Sequence, residues 1–182
     1  MSTANEQDAG PAPSAAEARE PSGWRWLPVS AVVIALDQLV KFWVVGHIPL
    51  YGTVRLLPVL NLTLTYNRGA AFSFLAGASG WQKWLFAGLA LAVAAAIGFW
   101  LKRLGARRNA LLCLSLTLIL GGALGNLIDR LRIGHVVDFV SAHWHGAYFP
   151  AFNVADSAIT VGAVLLLIDA LREGRGPKKE GV

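Results

Sequence analysis

The sequence predicts a membrane α-helical fold: four transmembrane helices, a small antiparallel β-sheet on the outer face and a short interfacial outer segment. Three observations carry that expectation. Hydrophobic side chains make up 55% of the 182 residues and charged ones only 15%, far from ordinary soluble usage. The apolar residues gather into runs close to the roughly 20 positions that a helix needs to cross a hydrocarbon core. The acids are nearly confined to the chain ends, since positions 21 to 168 hold no Glu and only Asp37, Asp129, Asp138 and Asp156.

Taken in order, residues 1–23 are rich in Ala, Pro, Ser and Glu and contain no apolar run, which predicts a disordered tail rather than a secretory signal peptide. Residues 24–172 are expected to form one membrane domain, followed by a basic tail over 173–182. The first span, about 27–45, is interrupted by Asp37, Gln38 and Lys41. Residues 51–57 and 61–66 alternate apolar with polar residues and are rich in Thr, Val and Tyr, which predicts two or three short antiparallel strands. So small a sheet is marginal alone and is expected to rest on the membrane surface against the bundle. Spans two (84–101) and three (110–128) carry no charge, and span four covers 154–171. Residues 141–150, with Trp144, Tyr148 and Phe149, predict an interfacial turn or short helix.

The net charge of +5 invites a nucleic-acid reading, but the basic residues sit where topology needs them. Lys102, Arg103, Arg107 and Arg108 join spans two and three, and Arg172, Arg175, Lys178 and Lys179 follow span four. By the positive-inside rule, both termini are then cytoplasmic and residues 46–83 and 129–153 lie outside. Six of the seven Trp residues, at 24, 26, 43, 81, 84 and 100, flank span ends, where amphipathic rings favour the interface. The single Cys113 excludes an internal disulfide or a multi-Cys metal cluster.

Ionisable groups at membrane depth are costly, so each is a candidate. Asp37 and Lys41 are four apart and share a helix face, which favours mutual neutralisation; on a functional reading they help arrange the outer mouth of a site. Asp129 lies at the negative end of span three, with Arg130 and Arg132 as its expected partners. Asn126 and Arg130 remain as donors facing the outer leaflet. Asp138 is set among Val136, Val137, Phe139 and Val140, surroundings that favour a protonated carboxyl. Asn153 and Asp156 have capping-box spacing, which puts a carboxylate at the positive end of a helix. Two carboxyls in contrasting environments at the outer boundary suit acid and base roles, and close approach would make them share a proton.

Other motifs carry less. Gly77-Ala-Ser-Gly80 matches the G-x-S-G of rhomboid-type serine proteases, but every His falls in an outer segment, so a turn is the better reading. No H-E-x-x-H occurs, and Gly121 with Gly125 forms a G-x-x-x-G pair suited to close helix packing.

With these blocks assembled, the chain resembles the lipoprotein signal peptidases, or signal peptidases II, bacterial inner-membrane aspartic peptidases. The matching blocks are Asp37-Gln-Leu-Val-Lys41, Asn67-Arg-Gly-Ala-Ala-Phe72, Gly121-Gly-Ala-Leu-Gly-Asn-Leu-Ile-Asp-Arg130, Val136-Val-Asp-Phe139 and Phe152-Asn-Val-Ala-Asp-Ser157. The resemblance implies Asp138 and Asp156 as a catalytic dyad. It also implies Asn67, Asn126, Arg130 and Asn153 as residues that hold substrate and dyad, with Asp37, Lys41 and Asp129 in support. It further implies a multi-pass inner-membrane enzyme with its site on the periplasmic face. Such an enzyme needs no cofactor or metal, binds no nucleic acid, acts as a monomer and meets membrane lipid. Its substrates would be prolipoproteins bearing a diacylglyceryl-Cys, cut on the N-terminal side of that Cys. Two other classes compete: a small transporter or channel relaying through Asp37 and Lys41, and a non-catalytic lipid-binding scaffold.

Overall fold

The computed structural model describes residues 20–69 and 80–173. Most of the tails expected at either end therefore lies outside the described residues, as do the Gly77–Ser79 turn and the last three residues of the Asn67–Phe72 block. A 3-10 turn, Gly23–Trp26, leads into α1 (Leu27–His47). Strands β1 (Thr53–Leu57) and β2 (Leu60–Asn67) follow, then α2 (Trp81–Arg103), α3 (Ala110–Ile133), β3 (Val136–Trp144), β4 (Ala147–Tyr148) and α4 (Val154–Glu173). All four helices are long and apolar enough to cross a membrane.

Each helix outruns its hydropathic span, because polar residues at the ends continue the backbone hydrogen-bond ladder at no cost once they leave the hydrocarbon. α3 is the central helix: 61% of its apolar window is buried, against 28% for the first span and 17% for each of the others. Small residues allow this crowding. A methyl group on Gly122 would run into the Ala155 carbonyl of α4, and one on Gly125 would stand 2.9 Å from the Asp37 carboxylate of α1. The G-x-x-x-G stretch is thus where α1 and α4 close on α3. On the other flank, Ile97 and Leu101 of α2 pack with Leu112, Cys113, Leu116 and Leu120 of α3.

The outer sheet is antiparallel in the order β1-β2-β3-β4. The first outer segment supplies only two strands; β3 and β4 come from the second. The turn or short helix expected over 141–150 is instead the end of β3 and a hairpin, with His145 (φ 47°) and Gly146 (φ 84°) as the left-handed corner. Residues 136–139 are buried, with Val137 and Phe139 packed against Val44, Ile48 and Leu64. The register slips between Leu62 and Thr65 of β2, a bulge opposite Phe139. There β3 bridges to Phe152 (Val140 N to Phe152 O 2.8 Å). That bridge sets the N-terminus of α4 beside Asp138.

The N-terminal boundary also shifts. Residues 20–23, expected in the tail, pack on the α2–α3 turn. Gly23 N donates to Leu104 O (2.8 Å), Ala106 N to Pro21 O (2.7 Å), and the Glu20 carboxylate accepts from the backbone N–H of Arg107 and Arg108 at 2.8 and 2.6 Å. The reason is local: that turn presents unpaired backbone N–H groups, and Glu20 reaches them.

Candidate active site

The polar centre of the molecule has two layers, both near the helix ends that carry the sheet. In the deeper one Lys41 forms ion pairs with Asp37 (2.7 Å) and with Asp129 of α3 (2.8 Å). Its ammonium also donates to Asn126 Oδ1 (3.0 Å). An ammonium has three N–H bonds, and all three are engaged. Gln38 closes the layer through Nε2, 2.9 Å from Asp129 Oδ1 and 3.2 Å from both Asp37 Oδ2 and Gly125 O. Asp37, Lys41 and Asp129 are each at most 4% exposed.

Asp37 and Lys41 pair as their spacing predicted. Asp129 does not pair with Arg130 and Arg132 as expected; its partner is Lys41. Successive side chains on a helix diverge by about 100°, so Arg130 points away from the α1-facing side that Asp129 occupies. Helical side chains also lean toward the N-terminus, which brings Asp129 back to the level of Lys41.

The second layer holds the other two aspartates. Asp138, on β3, is 2% exposed. Its Oδ2 accepts from Asn67 Nδ2 across the sheet (3.0 Å) and its Oδ1 from Asn153 Nδ2 (2.7 Å). Asp156, in the first turn of α4, is partly open to the outside, and its Oδ1 accepts from Asn126 Nδ2 (2.7 Å). Asn153 Nδ2 also lies 3.2 Å from Asn126 Oδ1. The two carboxyls are therefore linked through an Asn153–Asn126 bridge. Asn153 caps α4, accepting from Asp156 N at 2.9 Å. The reciprocal arm of the capping box is replaced, because Asp156 turns its carboxylate to Asn126.

Burial, above all, pushes the Asp138 carboxyl up to about 6. The neighbouring Asp156 charge pushes the same way, while hydrogen bonds from Asn67 and Asn153 and the Lys41 charge oppose it. Arg130 stands at the rim, donating from Nη1 to Asn126 O (3.3 Å) and lying over the Phe86 ring at 5.2 Å. It is within electrostatic reach of Asp156, Asp138 and Asp129.

All nine singled-out residues thus fall in one connected cluster. Sequence reasoning carried Gln38 only as a member of the Asp37–Lys41 block and gave it no partner, although an amide inside an apolar span was the available signal. It also missed two backbone donors: Val137 N–H to Asp129 Oδ2 (3.1 Å) and Ala155 N–H to Asp37 Oδ1 (2.9 Å). Among the described residues, no group of three or more His, Cys, Asp or Glu side chains is placed to hold a metal ion.

Four membrane-crossing helices that hold two amide-bridged carboxyls beneath an antiparallel sheet define the class of polytopic membrane proteins. A solved bacterial membrane enzyme, determined by the in meso method at 2.3 Å resolution, superposes with a TM-score of 0.75 at 30% identity, over 87% of this chain and 94% of that one. The family model described as signal peptidase (SPase) II matches residues 29–172. The lipoprotein signal peptidase of Pseudomonas fluorescens (strain Pf0-1) is 54% identical over 149 residues, 81% of this chain and 87% of its own length. That of Shewanella halifaxensis (strain HAW-EB4) is 48% identical over 158 residues, covering 87% and 92%. The chain belongs to the signal peptidase II family, and so is a peptidase.

Proposed function

We propose that this chain is an aspartic endopeptidase that removes the signal peptide from diacylglyceryl-modified prolipoproteins, cutting on the N-terminal side of the lipid-bearing Cys. The observation that carries the reading is the linked pair of carboxyls, one deeply buried and one partly open. Asp156 in its ionised form takes a proton from water as the hydroxide adds to the scissile carbonyl carbon. Protonated Asp138 hydrogen-bonds the developing oxyanion. Asp138 then gives its proton to the leaving amine as the C–N bond breaks and the carbonyl re-forms as a carboxylic acid. Proton exchange between the carboxyls and solvent restores the starting state.

The surroundings suit such a substrate. Signal helix and lipid chains reach the site laterally from the bilayer, and water reaches it from the periplasmic side. Asn67, Asn126, Asn153 and Arg130 surround the carboxyls as amide and guanidinium groups able to hold a peptide backbone. On this reading residues 24–172 act as a single peptidase domain in the inner membrane, as a monomer with both termini cytoplasmic, and without metal or cofactor. A relay through Asp37 and Lys41 is disfavoured, because every Lys41 N–H already has an acceptor. The purified chain in detergent should shorten a diacylglyceryl-modified precursor and leave an unmodified one intact. A modified precursor left uncut would overturn the proposal.

A further inference from the structure

Resting on that reading, we infer that Lys41 is a positioning residue for both catalytic carboxyls, holding the strand that carries Asp138 and the helix end that carries Asp156 in one fixed relation.

Three contacts converge on this. Asp129, clamped at 2.8 Å by Lys41, accepts the N–H of Val137, the residue immediately before Asp138. Asp37, clamped at 2.7 Å, accepts the N–H of Ala155, the residue immediately before Asp156. One ammonium thus ties together two carboxylates, each gripping the backbone one residue ahead of a dyad aspartate. The third N–H fixes Asn126. By donating to Oδ1, Lys41 turns the amide so that Nδ2 faces Asp156. The same Oδ1 accepts from Asn153, whose amide reaches Asp138. Only this amide orientation satisfies both arms.

A purely neutralising lysine would need the two ion pairs and nothing more. The clamp does more, because Ala155 N is one of the N-terminal helix donors that lack an intrahelical partner, and Asp37 supplies it from another helix. Removing Lys41 leaves two buried carboxylates repelling each other while still attached to β3 and α4, so the strain is delivered to the dyad. A misplacement near 1 Å is enough for a hundredfold loss of rate.

The test compares Lys41→Arg and Lys41→Met in the full chain, in detergent, with a diacylglyceryl-modified precursor. Lys41→Arg keeps the charge, so the fold is retained, but a planar guanidinium on a longer stem does not reproduce the three-point geometry. Its kcat should fall at least about tenfold with KM unchanged, and a parental kcat would overturn the inference. Lys41→Met, where it folds, should lose about a hundredfold in kcat; a loss under threefold would overturn the inference equally. Infrared titration of the Asp138 carboxyl supplies a second readout. This group is faced by Asp156 and Asn153 of α4, Asn67 of β2, Arg130, Asp129 and Asn126 of α3, and Asp37 and Lys41 of α1. Its midpoint should rise in Lys41→Met, which loses a positive charge, and stay near the parental value in Lys41→Arg. Failure of the parent to cut would instead indict the peptidase reading, so the two failures are distinguishable.

Discussion

The core aspartates divide into two pairs with opposite treatment. Asp37 and Asp129 share a lysine at 2.7 and 2.8 Å; Gln38 and the Ala155 N–H take up their other oxygens, and the Val137 N–H shares the Asp129 oxygen that Lys41 holds. Asp138 and Asp156 are met mainly by neutral amides, with Arg130 at the rim. A cation clamp gives the first pair a counter-charge and fixes it between two helices. Neutral amides hold the second pair in place without supplying one. On the proposed reading the same residue type serves architecture in one layer and chemistry in the next, and the difference lies in the partner.

Replacing a member of the reactive pair gives the sharpest break. Asp138→Asn or Asp156→Asn should lower cleavage by about a thousandfold or more, while the protein still folds and extracts as a monodisperse species, as size-exclusion chromatography would show. In the clamped pair, Asp129→Ala leaves one Lys41 N–H and Val137 N without an acceptor. It should cost about 3 kcal/mol or more, seen as a fall in Tm. Asp129→Asn keeps an oxygen for Val137 N and should lose less, about 1–2 kcal/mol, with kcat per folded molecule falling by no more than about tenfold, because the grip on the strand before Asp138 is weakened but not lost. An inactive but fully stable Asp129→Asn would put that residue in the chemistry. Gly125→Ala, which sets a methyl 2.9 Å from Asp37, should cost about 1–3 kcal/mol and separate the pairs further, moving Tm more than KM.

The pH effect is smaller but has a definite sign. A carboxyl pushed up to about 6 from an ordinary 3.8 binds more protons folded than unfolded between those values. Stability contributed by its protonated form is therefore present at low pH and lost as pH rises through about 6. Asp156→Asn removes a like charge, so the Asp138 midpoint should move down. An unmoved midpoint in the infrared titration would show that the two carboxyls do not feel each other.

Much of this was legible in the sequence because hydropathy, charge placement and i, i+4 spacing are local properties. The four spans, the β1–β2 hairpin and the Asp37–Lys41 pair needed nothing more. What was illegible depended on chain segments far apart. Asp129 chose Lys41, 88 positions away, over the arginine beside it, since helix rotation outweighs sequence proximity. The hairpin over 141–150 was hidden because a short run with Trp, His and Tyr fits a strand or an interfacial turn equally well until β2 offers an edge. Glu20 gave no sign of being ordered, because its partners are backbone N–H groups, which composition cannot reveal. The amide bridge was legible only in part: the resemblance pointed to Asn126 and Asn153, but which amide faces which carboxyl is a property of packing.

The most direct measurement is single-turnover cleavage of a diacylglyceryl-modified precursor by parent, Asp156→Asn and Asp129→Asn, each normalised to its folded fraction. The account predicts cleavage by the parent, cleavage by Asp129→Asn that is slower by no more than about tenfold, and essentially none by Asp156→Asn. Cleavage by Asp156→Asn at the parental rate would contradict it.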